Sequence, residues 1–563
     1  MTRPHAAWLV PHPLSARLAA ALDLALALSY VAVVFGPVLV LAVAGVAQAY
    51  SGWHGLGPFT SVPGAAGRTG AGSGVLDLWP PERWTLLARS IALAAAAAGL
   101  AGLVGALVAT VLSRFRRGRG AALRWLVLVL APIPAYVHAL AWASATIALD
   151  ARLGDRLGRS LELTGPGGVI WVQAMAMLPL AVALSLLAIE TVSRELIDAG
   201  RMHAGAIEVL RRVTLPLAAP LLLAGAGVVF VISLLDYSVA ALFQVNVYSL
   251  AVFADYSVSN DPVRALVTAV PMMAVAGLVV AVSQRGLRRV AHRPERRASA
   301  PGPKPPQPLW FTAAQAAACS VLVAQIAVPL VALVRATGSV RQLSYAVGAA
   351  DREIWFSLVV AAAAAVACVP LAAAAARRLQ RSDGRSRAWW LLVTAPLAVP
   401  APLVGIGLIM LWNRPAVPGV YGSAAMPVLA GLARFTPFAA VIVAAQMRRI
   451  DPLLIEAARV HGDGGLRSLV AVRLPLLLPG LAAAACVTFA LTLGELGATL
   501  LVTAPGDQTL TMRIYNYLHY GASDAVAGLC LAMAVAAVAA TVLALIGLSV
   551  LPRLRIGSLV TAR

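Results

Sequence analysis

Long apolar runs, each about as long as a membrane is thick, alternate with short polar segments along this chain of 563 residues. A helix that crosses the hydrocarbon core needs about 20 mainly apolar residues. We therefore predict an all-α integral membrane protein with about 12 transmembrane helices, in two sets of six. The first set covers 21–47, 86–112, 123–148, 168–190, 217–243 and 263–284, and the second covers 310–336, 354–376, 389–412, 427–446, 476–503 and 525–551.

Arginine-rich loops alternate with acidic loops and indicate how these helices are oriented. Arginine clusters fall at 114–120, 285–297, 377–387 and 552–555, whereas most of the acidic residues lie in the intervening loops. Because basic loops remain on the cytoplasmic side of a membrane, we predict that both termini are cytoplasmic.

The overall composition agrees with this pattern. Hydrophobic residues make up 60% of the chain and charged residues 12%, against about 25% charged residues in soluble domains. The formal net charge of +21 would suit nucleic-acid binding, but the arginines fall where membrane topology already requires them. We therefore expect membrane lipid around the chain and no nucleic-acid partner.

A proline-rich, charged segment at 295–308 divides the chain into two similar halves. The sequence of 214–243 lies over that of 473–502 at a constant offset, and Pro179 corresponds to Pro437. Six helices per copy give both copies one orientation, as in parallel repeats related by an axis along the membrane normal. The predicted domains are a first six-helix half at 1–284, a cytoplasmic linker at 285–309 and a second six-helix half at 310–563.

A polar stretch interrupts the second half and reads IEAARVHGDGGLRSLVAVRLP, residues 455–475. It matches the pattern EAA-x3-G-x9-I-x-L-P, with Val472 in place of isoleucine. The matching residues are Glu456, Ala457, Ala458, Gly462, Leu474 and Pro475. Alanine and glycine let a short helix approach another protein closely, and a proline is tolerated in the first turn of the helix that follows.

The first half contains a less perfect copy, IDAGRMHAGAIEVLRRVTLP, at residues 197–216. The corresponding residues are Asp198, Ala199 and Gly200 for EAA, Ala204 for the glycine, and Leu215 with Pro216 after a loop that is one residue shorter. Arg201 and Arg459 each follow the alanine-rich triplet and offer charge pairing to a soluble protein. The alternative is that both stretches are ordinary connecting loops.

These two stretches, in a duplicated membrane chain, resemble the permease subunits of type I ABC importers. The arrangement is similar to the fused, double-length permeases, a group that includes ferric-iron and thiamine permeases. The resemblance implies a bacterial plasma (inner) membrane, two nucleotide-binding ATPase subunits docked on the two stretches, and a periplasmic solute-binding protein. It also implies a small solute as cargo, with ferric iron first and thiamine next.

The chain lacks its own phosphate-binding loop. A GxxxxGK[ST] motif needs a lysine, and the one candidate, Lys304, is followed by Pro305. We therefore predict that the chain is not an enzyme and holds no cofactor or metal of its own, so that ATP and Mg would bind to the partner subunits.

Two acidic residues, Asp236 and Glu495, occupy matching positions inside predicted helices. Because an ionisable side chain at membrane depth is costly, we predict that both line the translocation pathway or its outer gate, facing one another across the pseudo-twofold axis. There they would suit a cationic solute. The alternative is that they bond the amides of broken helices at the interface. Gly494 and Gly497 flank Glu495 and would allow a kink or close helix packing.

A different class of function remains open on the same residues. A secondary transporter with six-plus-six parallel repeats would couple transport to protons through Asp236 and Glu495. It would explain the acids within the membrane but not the paired polar stretches.

Overall fold

A computed structural model of the chain describes residues 13–54, 79–114, 133–157, 160, 162–291, 307–380, 385–451, 453–454, 456–457, 472–520 and 525–542. Within these residues, ten helices are long and apolar enough to cross a membrane, and one bent pair of helices makes an eleventh. The predicted all-α membrane architecture is confirmed.

Among the described residues, the first half contains ten α-helical segments. They are α1 (Pro13–His54), α2 (Pro81–Leu112), α3 (Ala135–Leu157), α4 (Gly165–Glu190), α5 (Arg194–Arg201), α6 (Ala206–Val209), α7 (Leu215–Leu235), α8 (Ser238–Leu242), α9 (Tyr248–Ser259) and α10 (Pro262–Ala291). A single π-helical turn, Leu210–Thr214, joins α6 to α7.

The second half repeats this order. Its helices are α11 (Leu309–Thr337), α12 (Val340–Ala349), α13 (Asp351–Leu379), α14 (Arg385–Thr394), α15 (Ala401–Trp412), α16 (Ala425–Arg448), α17 (Leu474–Leu493), α18 (Thr499–Val502), α19 (Leu510–Tyr520) and α20 (Ala525–Val542).

Three predicted spans are wrong as single straight helices. The span 217–243 ends at Leu235 and resumes as α8, and the span 476–503 ends at Leu493 and resumes as α18. The span 389–412 is bent by 101° before α15. There Pro400 has no N–H, and its ring disfavours helical backbone in the preceding residue.

The predicted span 123–148 is shifted in the structure. Residues 123–132 lie outside the described residues, and α3 begins at Ala135, after Pro134. This helix continues to Leu157 and places Asp150 and Arg156 in its second half. It is therefore less apolar than the run that predicted it.

Matching hydrogen bonds agree with the predicted internal repeat. The backbone N–H of Tyr248, at the start of α9, donates to the Ser90 hydroxyl on α2 at 2.8 Å. The backbone N–H of Leu510, at the start of α19, donates to the Ser357 hydroxyl on α13 at 2.7 Å. Each half thus ties the same helix start to the same neighbouring helix.

The first helix of each half packs on the other half. In α1, Tyr30 and Val34 lie in a buried cluster made otherwise of second-half residues. The Tyr30 hydroxyl donates to the Val393 carbonyl at 3.2 Å. Asp23 of α1 pairs with Arg378 of α13 at 3.0 Å.

The reverse exchange holds for α11. Its Ala318 and Leu322 pack in a cluster made otherwise of first-half residues. The Gln315 amide donates to the Thr110 hydroxyl at 2.8 Å. The two halves that the repeat predicts therefore do not have separate cores.

This exchange predicts that the halves assemble without a covalent linker. We expect residues 1–300 and 301–563, expressed together as two chains, to purify as one complex through a tag on either chain, because the close packing and polar contacts of α1 and α11 stabilise the association. The control removes residues 1–54 from the first chain, which deletes α1. Recovery of the two tagged halves separately, with α1 present, would contradict the exchange.

Candidate functional site

Four ends of helices meet near the middle of the molecule. The breaks after α7 and α17 lie beside the starts of α3 and α15. A Cβ atom added at Gly494 would lie 2.7 Å from the Pro134 Cγ atom. One added at Gly497 would lie 2.6 Å from the Ala401 Cβ atom and 3.3 Å from the Tyr237 Cε1 atom. Glycine is thus needed at both positions for close approach.

The two predicted acids hold the chain at the breaks. Asp236 accepts hydrogen bonds from the Ser238 hydroxyl at 2.7 Å and from the Val239 N–H at 3.3 Å. Glu495 accepts one from the Ala498 N–H at 2.8 Å. Each carboxylate therefore satisfies amides at the start of a short helix, as a capping residue does. The alternative role, in which the two acids bond the amides of broken helices, is therefore present. Their role in the translocation pathway stays a prediction.

Arg434 on α16 is the residue that the sequence analysis missed. Its guanidinium forms an ion pair with Glu495. The signal was an arginine inside the predicted span 427–446. The repeat places Ala176 at the corresponding position of the first half, so the cation belongs to one half alone.

This ion pair changes the charge of the site. The Glu495 side chain is 3% exposed, whereas that of Arg434 is 23% exposed. The carboxylate is therefore the less accessible member of the pair. Two acids favour a cation only when both charges are available, and here one of them is already paired.

Two buried hydroxyl groups complete the site. The Tyr237 hydroxyl and the Thr492 hydroxyl have no hydrogen-bond partner among the described residues, although both residues are at most 5% exposed. The Tyr237 ring stacks on Phe253 with 5.6 Å between ring centroids. Because an unsatisfied buried hydroxyl is costly, these two groups offer hydrogen-bonding capacity to a ligand or to water.

The first polar stretch forms a compact helical hairpin. Ile197 of α5 packs on a small cluster that includes Val192 and Leu221. A Cβ atom at Gly200 would lie 3.3 Å from a Val209 methyl group, so α5 lies close against α6. The segment is therefore a docked unit with one face toward solvent.

The outer face of this hairpin carries most of the predicted coupling residues. Asp198, Ala199 and Arg201 are exposed, and Ala204 is half-buried. Arg201 pairs with Asp198 at 2.9 Å. Leu215 and Pro216 begin α7, as the motif predicts.

The second polar stretch is described only in part. Glu456 and Ala457 are exposed, and Leu474 and Pro475 begin α17. Ala458, Arg459 and Gly462 lie outside the described residues. Just before the stretch, the Gln446 amide of α16 donates to the Leu476 carbonyl at 2.9 Å, which ties the start of α17 to α16.

Large apolar side chains accompany both stretches at the surface. Met202 is 82% exposed and Leu196 is 51% exposed in the first half. In the second half, Leu453 is 67% exposed. Grouped exposed apolar side chains mark interaction surfaces. Within the described part of the chain, no group of three or more potential metal ligands occurs.

Comparison with known proteins indicates the class of protein that this chain resembles. Residues 368–555 match the family described as binding-protein-dependent transport system inner membrane component. This range covers the second polar stretch, Arg434 and the break at Glu495. The matched part of the chain is therefore similar to the membrane components of such transport systems, and the resemblance to type I ABC importer permeases is confirmed.

Individual relatives agree with this class. The putrescine transport system permease protein of Escherichia coli (strain K12) is 28% identical over 175 residues, 30% of this chain and 62% of that protein. The molybdenum transport system permease protein of Haemophilus influenzae is 28% identical over 193 residues, 31% of this chain and 83% of that protein. A putative ABC transporter permease protein of Streptomyces antibioticus is 29% identical over 192 residues, 34% of this chain and 80% of that protein. The chain thus spans 62% of the length of the putrescine permease.

Proposed function

We propose that this chain is the transmembrane permease subunit of an ABC importer, which moves a small solute from the periplasm to the cytoplasm by alternating access. The observation that carries the proposal is the family match over residues 368–555, which includes the coupling motif. The matching helix breaks of the two halves support a pathway between them.

The partners follow from this class. Two ATPase subunits would dock on the two polar stretches, whose exposed surfaces combine charged and apolar side chains. A periplasmic solute-binding protein would deliver the solute. ATP and Mg would act on the partner subunits, and this chain would transmit their movement without being an enzyme itself.

The cargo is open among several small solutes. Ferric iron and then thiamine are the expectations from resemblance to fused permeases. The relatives are named for putrescine, 2-aminoethylphosphonate and molybdenum transport. The pairing of Glu495 with Arg434 removes one of the two charges that favoured a cation. The bonds of Asp236 and Glu495 to backbone amides also weaken the case for proton coupling.

The test is uptake by cells that express the chain with its ATPase and binding-protein partners. Ferric iron, thiamine, putrescine, 2-aminoethylphosphonate and molybdate are supplied in turn as labelled solutes. We expect uptake of one of them to survive a protonophore and to stop when ATP is depleted. Uptake that stops with the protonophore while ATP is maintained, or transport by the purified chain alone, would overturn the proposal.

A further inference from the structure

The side chain of Arg434, which is 23% exposed and ion-paired with Glu495, marks a candidate ligand site near the helix breaks. We propose that Arg434, with the hydroxyls of Tyr237 and Thr492, binds an oxyanion group of the transported solute, such as a carboxylate, a phosphonate or a tetrahedral oxyanion. The inference rests on the proposed function and narrows its substrate class.

The hydrogen-bonding groups of the site that have no protein partner determine which ligand it can bind. Both oxygens of Glu495 have a partner, because one accepts from the Ala498 N–H and the other pairs with Arg434. Both oxygens of Asp236 accept from the chain that follows it. Among the described residues, the hydroxyls of Tyr237 and Thr492 have no partner, and a guanidinium has more N–H donors than the one that pairs with Glu495. A ligand that fits them is rich in acceptors.

The geometry of the Arg434 guanidinium suits an oxyanion. A guanidinium presents five N–H donors in a planar fork that binds carboxylate and phosphate-like groups through two parallel bonds. Glu495 is 3% exposed and pairs with Arg434, so it holds the arginine in place. The carboxylate thus positions the guanidinium and needs no access to the solute itself.

The two hydroxyl groups come from different halves of the chain. Tyr237 follows α7 in the first half, and Thr492 precedes the break of α17 in the second half. A Cβ atom at Gly497 would lie 3.3 Å from the Tyr237 Cε1 atom and 3.6 Å from the Glu495 Oε1 atom, so Tyr237 lies close to the carboxylate that pairs with Arg434. Both hydroxyls are buried and have no hydrogen-bond partner among the described residues, which is costly. A ligand that bonds both hydroxyls would therefore stabilise the junction.

The local field of the backbone also favours an anion. The helices α3 and α15 begin beside the two breaks, at Ala135 and Ala401. The N-terminus of a helix carries a partial positive charge and unsatisfied N–H groups. Arg434 offsets one of the two carboxylates, and both carboxylates are already bound to backbone amides.

The experiment measures binding to the full-length chain in lipid nanodiscs. The probes are molybdate and 2-aminoethylphosphonate, which contain oxyanion groups, and putrescine, which does not. We expect at least one oxyanion probe to bind wild type saturably and putrescine not to bind. Arg434→Lys keeps the charge but loses the fork, and we expect it to weaken binding by about tenfold.

A neutral pair separates binding from folding. Arg434→Gln with Glu495→Gln leaves no unpaired charge, and we expect it to stay folded and to lose oxyanion binding. Arg513→Gln with Glu353→Gln is the matched control, because it removes an ion pair between α19 and α13 outside the site. Binding to this control should equal wild type.

The outcomes distinguish the inference from the proposed function. The inference is overturned if no oxyanion probe binds wild type, if the neutral Arg434 pair binds as well as wild type, or if putrescine binds and its binding depends on Arg434. It is also overturned if ATP-dependent uptake of putrescine or thiamine is unaffected by the neutral pair, in which case the importer function stands. Loss of ATP dependence itself would instead count against the importer.

Discussion

Replacing Arg434 with methionine is expected to destabilise the protein by about 3 kcal/mol, since removal of one partner from a buried ion pair leaves an uncompensated charge. Glu495 has an exposed side-chain fraction of 3% and retains one bond, from the Ala498 N–H. A single amide bond does not replace the guanidinium. The measurement is the free energy of unfolding from SDS titration of the purified protein in detergent, compared with wild type.

The double variant shows whether the lost pair is the cause. Adding Glu495→Gln to Arg434→Met removes the unpaired charge, so we expect most of the lost stability to return. The control is Arg513→Met, which breaks a pair whose two side chains are each 18% exposed. There we expect a loss of only about 1 kcal/mol, because solvent screens the remaining Glu353, which is 18% exposed, better than Glu495, which is 3% exposed. Equal stability of the single and double variants would show that the two charges are not coupled.

The positions of the helices could be predicted from the sequence because the membrane sets a strict length and polarity requirement. Eleven of the twelve apolar runs correspond to helices or a bent pair that pass this requirement. The breaks at Asp236 and Glu495 could not be predicted from the apolar run alone. An acid within such a run is compatible both with a continuous helix that faces a pathway and with a cap on a new helix. The bonds to Val239 and Ala498 decide between these two arrangements.

Packing between helices was the part that the sequence did not reveal. The apolar pattern of α1 and α11 fits lipid and protein equally well, so it does not say on which half each helix packs. Polar residues within the runs were the available signal. Asp23 and Gln315 each form a contact that joins the first helix of one half to the other half. Arg434 pairs with Glu495 at the break after α17. Each is a polar residue in a predicted span, which lipid exposure would disfavour.

The two coupling stretches provide the second large effect. If they dock ATPase subunits, as proposed, then Met202→Asp should lower ATP-driven uptake by at least about tenfold, because it places an unpaired charge in an apolar contact. Met202 is 82% exposed, so the substitution should leave the fold of the permease unchanged. Co-purification of the ATPase subunit with tagged permease should fall in parallel.

The second stretch provides a paired experiment. Leu453→Asp, at a residue that is 67% exposed, should have the same effect, and the double variant should abolish both uptake and co-purification. Val340→Asp is the matched control, because Val340 is 83% exposed but lies on α12, one membrane crossing away from the linker. ATPase binding by this control should equal wild type. Normal uptake and normal co-purification in the Met202 and Leu453 double variant would show that these surfaces do not bind the ATPase subunits, and the stretches would then be ordinary connections between helices.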